Sequence, residues 1–326
     1  MGEPMTTAAA AASGVGAGPL FVETPNVSGG ESQDVAALTE SAAVADGVSP
    51  IDDQVRTELA FGTRPEARHV LGRLGGTSTV VAYAHLTRDA DGASAHLVVH
   101  PRHRRHGVGT LLLDHLLDLV GRQDRNTSPA LRVWAHGDTA GAQALAAAQH
   151  FTRARDLWQL RRDLASTLPD PSYPEGVLVR TFRPGSDDEA WMALNAAAFA
   201  SHPEQGQLTV SDLRHRMAQP WFDPLGFFLA ERDGALLGSH WTKVHPAGES
   251  VGSTPIGEVY AVGVHPAAQG LGLGKALTLT GLQHLRGAGL DAVMLYVDGD
   301  NRAAVRLYER LGFTTSYVDV MYASPT

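Results

Sequence analysis

The chain has 326 residues, 43% of them hydrophobic, with 35 acidic and 26 basic side chains for a net charge of −9; that length accommodates two domains of ordinary size, each with its own core. No apolar run approaches the roughly 20 residues of a membrane helix or resembles a signal-peptide core, and no Lys/Arg-rich stripe suits a polyanion, so a cytoplasmic protein with no nucleic-acid or membrane partner is expected. The absence of cysteine excludes disulfides, thiolate metal sites and acyl-cysteine intermediates, so that any acyl transfer has to be direct.

Residues 1–17 are mostly Ala, Gly, Ser and Thr, cannot repay the entropy of ordering, and are expected to form a disordered tail. A strand at Leu20-Phe21-Val22-Glu23 follows, then a helix through Val35, Leu38 and Ala42, a short helix from Asp53 to Leu59, and a hairpin around Gly75-Gly76. A β-branched run closes on Leu97-Val98-Val99-His100-Pro101, and a Gly-turn leads into a helix from Val108 to Leu119, then a strand, a helix and a last strand. Ser166 to Gly176, with Pro169, Pro171 and Pro174, reads as a linker. The same order then recurs: a strand at Val177-Leu178-Val179-Arg180, helices through Trp191, Leu194 and Ala198 and from Val210 to Met217, a hairpin at Arg232-Asp233-Gly234, and a helix from Leu273 to Leu285. The expected division is a first domain at 18–168, a linker at 169–175 and a second domain at 176–326.

The recurrence is sharpest at the Gly-turns. Val99-His100-Pro101 precedes Arg104-Arg105-His106-Gly107-Val108-Gly109, and Val264-His265-Pro266 precedes Gln269-Gly270-Leu271-Gly272-Leu273-Gly274. His100 to His265 and Gly109 to Gly274 are both 165 residues apart, which points to duplication. A strand that runs through such a turn into a helix presents unpaired backbone N–H groups and the positive end of a helix dipole, a site for a pyrophosphate.

Gln/Arg-x-x-Gly-x-Gly after a Val-x-Pro strand end resembles motif A of the GNAT superfamily of acetyl-CoA-dependent N-acetyltransferases. Leu295-Tyr296-Val297, Asn301 to Arg306 and Leu307-Tyr308-Glu309-Arg310-Leu311-Gly312-Phe313 extend the resemblance. It implies an α/β (α+β) fold of two tandem GNAT domains, each a mixed, mostly antiparallel central sheet flanked by helices. It also implies acetyl-CoA at Leu97, Val98, Val99, Arg105, His106, Gly107, Val108, Gly109 and Thr110 of the first repeat. In the second repeat the corresponding residues are Val262, Gly263, Val264, Gln269, Gly270, Leu271, Gly272, Leu273, Gly274, Lys275, Asn301, Arg302, Ala303, Ala304, Val305 and Arg306. Tyr308 stands where the family has the acid that protonates the leaving thiolate, and a phenol of pKa about 10 suits that task.

Direct transfer also needs a base, because only the free lone pair of an amine attacks a thioester. Glu258 lies four residues before Val262 and, in an unbroken strand, projects to the same face; its carboxylate can take the proton directly or through water. Backbone N–H groups near Val264 are expected to hold the oxyanion, with Gly263 permitting a bulge. The first repeat has Ala93 at the offset of Glu258 and, aligning Phe151 with Phe313, Ala146 opposite Tyr308. It lacks base and acid and is expected to hold acetyl-CoA without using it.

Further strings resemble the mycothiol synthases, tandem GNAT enzymes with a degenerate first copy: His202-Pro203-Glu204-Gln205-Gly206, Trp221-Phe222-Asp223-Pro224, His240 to Pro246 and Gly257-Glu258-Val259-Tyr260. This resemblance implies acetylation of the amine of cysteinyl-glucosamine-inositol, with Asp53, Glu204, Lys243, Glu258 and Tyr296 contacting that substrate, Asp53 standing where the family more often has Glu. Asp53 belongs to the first repeat and the others to the second, so a substrate touching all of them would sit between the two. A monomer with no metal is expected. Residue chemistry alone leaves open another amine acceptor, such as an aminoglycoside, a polyamine or a protein N-terminus, and a non-catalytic acyl-CoA sensor.

Overall fold

The computed structural model describes residues 18–75, 77–89, 92–123, 131–200, 203–206, 208–247 and 254–325. The expected tail at 1–17 and Gly76 of the first hairpin lie outside the described residues, as does the side chain of Glu204. The described residues form two compact units: one gathers those up to Ala135 with Thr139–Thr152 and those from Tyr322 onward, the other His136–Asp138 with those between Arg153 and Met321.

The first unit contains β1 (Leu20–Thr24), α1 (Gly29–Asp46), α2 (Asp53–Phe61), β2 (Arg68–Arg73), β3 (Val80–Asp89), β4 (Gly92–Val99), α3 (Val108–Gln123), β5 (Leu131–Ala135) and α4 (Ala140–Ala148). Ser28 and Glu31 form a capping box that starts α1, and Gly47, at φ 73°, ends it. The strands run β1-β2-β3-β4-β5, antiparallel except for the parallel pair β4/β5. Val35, Leu38, Ile51 and Val55 of the α1–α2 segment cover one face over Leu71, Tyr83 and Val98. Leu112, Leu113 and Leu116 of α3 cover the other, over Val70, Ala84, Ala95 and Leu131.

The second unit contains β6 (Thr152–Asp163), β7 (Leu178–Thr181), α5 (Asp188–Ala198), α6 (Pro203–Gly206), α7 (Val210–Met217), β8 (Phe227–Arg232), β9 (Ala235–His245), β10 (Ile256–Val264), α8 (Leu273–Gly287), β11 (Ala292–Asp298), α9 (Arg302–Arg310) and β12 (Thr314–Ala323). Its strands run β12-β6-β11-β10-β9-β8-β7, again with one parallel pair described, β10/β11. Leu279, Leu282 and Leu285 of α8 pack with Val259, Val293 and Leu295 on one face. Trp191 and Leu194 of α5 and Leu213 of α7 pack with Phe227 and Trp241 on the other.

The compact units therefore differ from the linear halves 18–168 and 176–326. Strand β6, last of the first repeat, pairs antiparallel with β11 from Asp163↔Ala292 to Leu157↔Asp298 and gives Leu160, with Leu164 just after the strand, to the second unit's core. The pattern of residues 152–163 specifies a strand with one apolar face; it carries no information about which neighbour completes the ladder.

Candidate active site

In the second unit β10 and β11 are paired only at Gly257↔Val293 and Glu258↔Met294. Both strands continue past that rung, and the remainder of β10, through Val262, Gly263 and Val264, keeps its ladder with β9 alone. On the parted side the backbone polar groups of β10 have no strand partner, a slot in which an extended amide-bearing chain can pair. Beyond the strand His265 caps a 3-10 turn by accepting from the Ala267 N–H at 3.2 Å. Gly270 and Gly272 then adopt φ 82° and 80°, a left-handed conformation that costs glycine little and other residues more. Gly272 is also the N-cap of α8 and gives it no side-chain cap, so the first N–H groups of Leu273, Gly274 and Lys275 are available to an anion. On the far side Asn301 caps α9 by accepting from Ala304 N–H at 3.1 Å, with Arg302, Ala303, Ala304, Val305 and Arg306 in the helix.

The first unit repeats this geometry. Its parallel pair ends at His96↔Trp134, leaving Leu97, Val98 and Val99 beyond the last rung. His100 caps the turn from Arg102 N–H at 3.2 Å, and Arg105 and Gly107 have φ 64° and 79° ahead of Val108, Gly109 and Thr110 in α3. Arg104 is held by Asp46 at 2.6 and 2.7 Å and donates to Val99 O at 3.0 Å, which clamps the turn to the end of α1. The shared His cap explains why Val-His-Pro recurs.

The face of Glu258 departs from the sequence reading. Register shifts between Val259 and Ala261, so Tyr260 and Ala261 both pack on the α5 side, whereas Val259 and Val262 pack on the α8 side. A Cβ on Gly257 would lie 2.9 Å from Leu285 of α8, so Glu258, between Gly257 and Val259, points to the α5 face, opposite Val262. The bulge sits at Tyr260 rather than at Gly263, which stays in the ladder opposite Ser239. Glycine there leaves room for close packing: a Cβ would lie 3.1 Å from both Ala198 and Phe199.

On the α5 face Glu258 is the cross-strand partner of Lys243. Both are buried. The Lys243 ammonium lies 5.0 Å from the Trp221 ring centroid and 5.8 Å from that of Tyr260, a cation–π arrangement. One oxygen of Glu258 meets His245 Nε2 at 2.6 Å. Tyr296, on β11, bonds the Tyr317 hydroxyl at 3.0 Å and accepts from Gln159 Nε2 at 3.0 Å. Burial pushes its phenol up to about 12, with the Glu258 charge adding to the rise and the Tyr317 and Gln159 bonds opposing it. Tyr308 lies on the opposite, α8 side, in the core with Val305, Leu311 and Phe313. Its hydroxyl has no hydrogen-bond partner among the described residues, and burial raises its pKa to about 12.

The acetyltransferase (GNAT) family matches this chain twice, over residues 37–151 and 191–313. The chain belongs to the GNAT acetyltransferases. A mycothiol acetyltransferase from Thermobispora bispora is 54% identical over 300 residues, 92% of this chain and 97% of that protein. One from Streptomyces avermitilis is 50% identical over 310 residues, 94% and 96% of the two chains. Among solved structures, a GCN5-related N-acetyltransferase from Sphaerobacter thermophilus aligns with a TM-score of 0.71 at 25% identity, over 94% of this chain and 96% of that one. A tandem GNAT protein from the clavulanic acid biosynthesis pathway shares the fold, with a TM-score of 0.70 at 22% identity over 94% and 99%.

The chain is thus a tandem GNAT acetyltransferase, with acetyl-CoA as its co-substrate. Among the described residues no cluster of His, Cys, Asp and Glu could hold a metal ion, and no helix is long and apolar enough to cross a membrane. The structure brings Lys243, Glu258 and Tyr296 onto one face of the second unit. Asp53 lies in the first turn of α2, in the first unit, paired with Arg56. His245, Gln159, Tyr317 and Trp221 join the second unit's site although sequence reasoning did not select them. His245 was accessible in principle, being two residues from Lys243 on the same strand face; Gln159 was not, because its strand comes from the first repeat.

Duplication also has to be read through the bulge. The rungs Ala93↔Leu131 and Ser94↔Arg132 correspond to Gly257↔Val293 and Glu258↔Met294. The counterpart of Glu258 is Ser94, one residue on from the Ala93 that a constant offset gives. The first repeat still has no carboxylate at that place.

Proposed function

We propose that this acetyltransferase transfers the acetyl group of acetyl-CoA to the cysteinyl amine of cysteinyl-glucosamine-inositol, the last step in forming mycothiol, and that the second repeat does the chemistry. The observation that carries the reading is the position of Glu258 at the last paired rung of β10 and β11, with its carboxylate on the α5 face and Tyr308 on the α8 face. A thioester carbon lying between the parted strands has a base on one side and an acid on the other. Acetyl-CoA supplies the activated acyl carbon; the chain's own groups do the rest.

Glu258 takes a proton from the cysteinyl ammonium, directly or through water, and frees the lone pair that forms the new N–C bond. The N–H groups of β10 past Glu258 stabilise the oxyanion. Tyr308, held protonated by burial, gives its proton to the sulfur as the C–S bond breaks. The uncapped start of α8 holds the pyrophosphate, while Lys243 and the Tyr296 hydroxyl offer hydrogen bonds to the sugar hydroxyls or the cysteinyl carbonyl. The relatives named mycothiol acetyltransferase support this choice of acceptor over other amines. The first repeat, with Ser94 and Ala146 in place of base and acid, binds acetyl-CoA without turning it over.

The test is the rate of CoA release with cysteinyl-glucosamine-inositol, with glucosamine-inositol lacking the cysteine, with a polyamine and an aminoglycoside, and with no acceptor. Fast release confined to the cysteinyl compound is expected. Equal release with the other amines would reassign the acceptor, and binding of acetyl-CoA without release under any condition would make the chain a sensor.

A further inference from the structure

We infer that His245 is a positioning residue for the base: its Nε2–H holds one oxygen of Glu258 so that the other is presented to the acceptor amine. This rests on the reading of Glu258 as the base. His245 and Glu258 are diagonal neighbours on adjacent strands, since His245 pairs with Ile256 and Lys243 with Glu258. Both are buried, 4% and 8% exposed, and the contact is 2.6 Å, from Nε2 to Oε2. A carboxylate at neutral pH can only accept, so the imidazole proton is on Nε2. Among the described residues Oε2 has this one partner and Oε1 has none. Oε2 is committed to His245, and Oε1 keeps its lone pairs for a proton from outside.

Such a bond does two things for a base. It removes the rotation of the carboxylate about its last torsion, holding Oε2 on His245 of β9 and turning Oε1 away from it. It is also a charge-assisted bond, stronger than one between neutral groups, and so holds that position firmly. Among the described residues the charged and titratable groups on this face include Lys243 on β9, Tyr260 on β10 and Tyr296 on β11, with Arg216 of α7 over the Tyr260 ring. In the first unit Thr87 faces Ser94 across the corresponding rung, where no carboxylate calls for a partner.

The experiment compares wild type with His245→Gln, His245→Asn and His245→Ala in full-length protein, measuring kcat, both KM values and the pH profile of kcat/KM with the cysteinyl acceptor. A glutamine amide reaches the place of Nε2 and an asparagine amide falls short. His245→Gln is expected to stay within about threefold of wild type in kcat. His245→Asn and His245→Ala are expected to lose on the order of tenfold or more, with KM for acetyl-CoA unchanged. In these two variants the carboxylate loses the donor on Oε2, and the acid limb of the profile is expected at higher pH than in wild type. Should His245→Ala fail to fold, the comparison of Gln with Asn, which differ by one methylene, decides the matter. Equal kcat and equal acid limbs in Gln and Asn variants would overturn the inference. Glu258→Gln separates the two levels: if wild type turns over and Glu258→Gln is as fast, the base assignment fails; if Glu258→Gln is inactive and the His245 series is flat, only the role of His245 fails.

Discussion

Tyr308 shows how far a single residue's role can be argued from its surroundings. Its ring packs against Phe313 with centroids 5.6 Å apart, and its hydroxyl bonds to nothing among the described residues. Phenylalanine at this position therefore keeps the packing and removes only an O–H that contributes no internal bond. Tyr308→Phe is expected to lower kcat by roughly 10²-fold, the lower end of what a positioned proton donor contributes, while the urea midpoint stays put, within about 0.5 kcal/mol of wild type. A variant that lost stability and kept its rate would make Tyr308 a core residue and nothing more. The motif around Tyr308 made it visible in the sequence. Its burial, and with it the upward shift to about 12, was not, because depth depends on α8 and β11 packing around it.

At the scale of elements, periodicity located the strands and helices well: Val35, Leu38 and Ala42 are the buried stripe of α1, and α7 spans the Val210–Met217 that its pattern predicts. What a period of two cannot show is a bulge, since one extra residue at Tyr260 leaves the composition of β10 unchanged and reverses every face on one side of it. An alternation of two without the bulge puts Glu258 and Val262 on one face, and a constant offset makes Ala93 rather than Ser94 the counterpart of Glu258. Helix α8 offers a second case of contact invisible in sequence. Gly281 lies directly over the ring of His240, where an added Cβ would overlap the imidazole. His240 is fully buried and fixed by the bond from its Nδ1 to Leu277 O at 2.7 Å, so it has nowhere to retreat. Gly281→Ala, normally favourable in a helix, is expected here to cost about 1–3 kcal/mol as overpacking. A lowered urea midpoint would bear this out; a raised one would mean that α8 and β9 can move apart at little cost.

On the scale of the whole molecule the repeat was legible and the assembly of the units was not. Equal spacing of the two Gly-turns announced duplication, yet β6 completes the second unit's sheet, a choice made by tertiary pairing. Each unit also buries a histidine, which couples stability to acidity. In the first, His69 is enclosed between Thr63 and Tyr83, with its ring nitrogens at 2.6 and 2.7 Å from their hydroxyls; burial, with the neighbouring His85 second, lowers its pKa to about 4. In the second, His240 is also lowered to about 4, chiefly by burial, and its Nε2 is buried without a partner among the described residues. Both rings are neutral in the folded chain at pH 7. Once unfolded they take up protons near 6.5, so between pH 6.5 and 4 the unfolded chain binds more protons than the folded one, and stability falls as pH falls. For His240 the gap of about 2.5 pH units at about 1.4 kcal/mol each is on the order of 3 kcal/mol. Urea midpoints measured from pH 7.5 down to 4.5 are expected to decline steadily below 6.5. His240→Asn, whose amide can keep the bond to Leu277 O, should start lower at pH 7.5 and decline less steeply. A wild-type midpoint that is flat from 7 to 5 would mean that these rings are already protonated, or that water reaches them in the folded state.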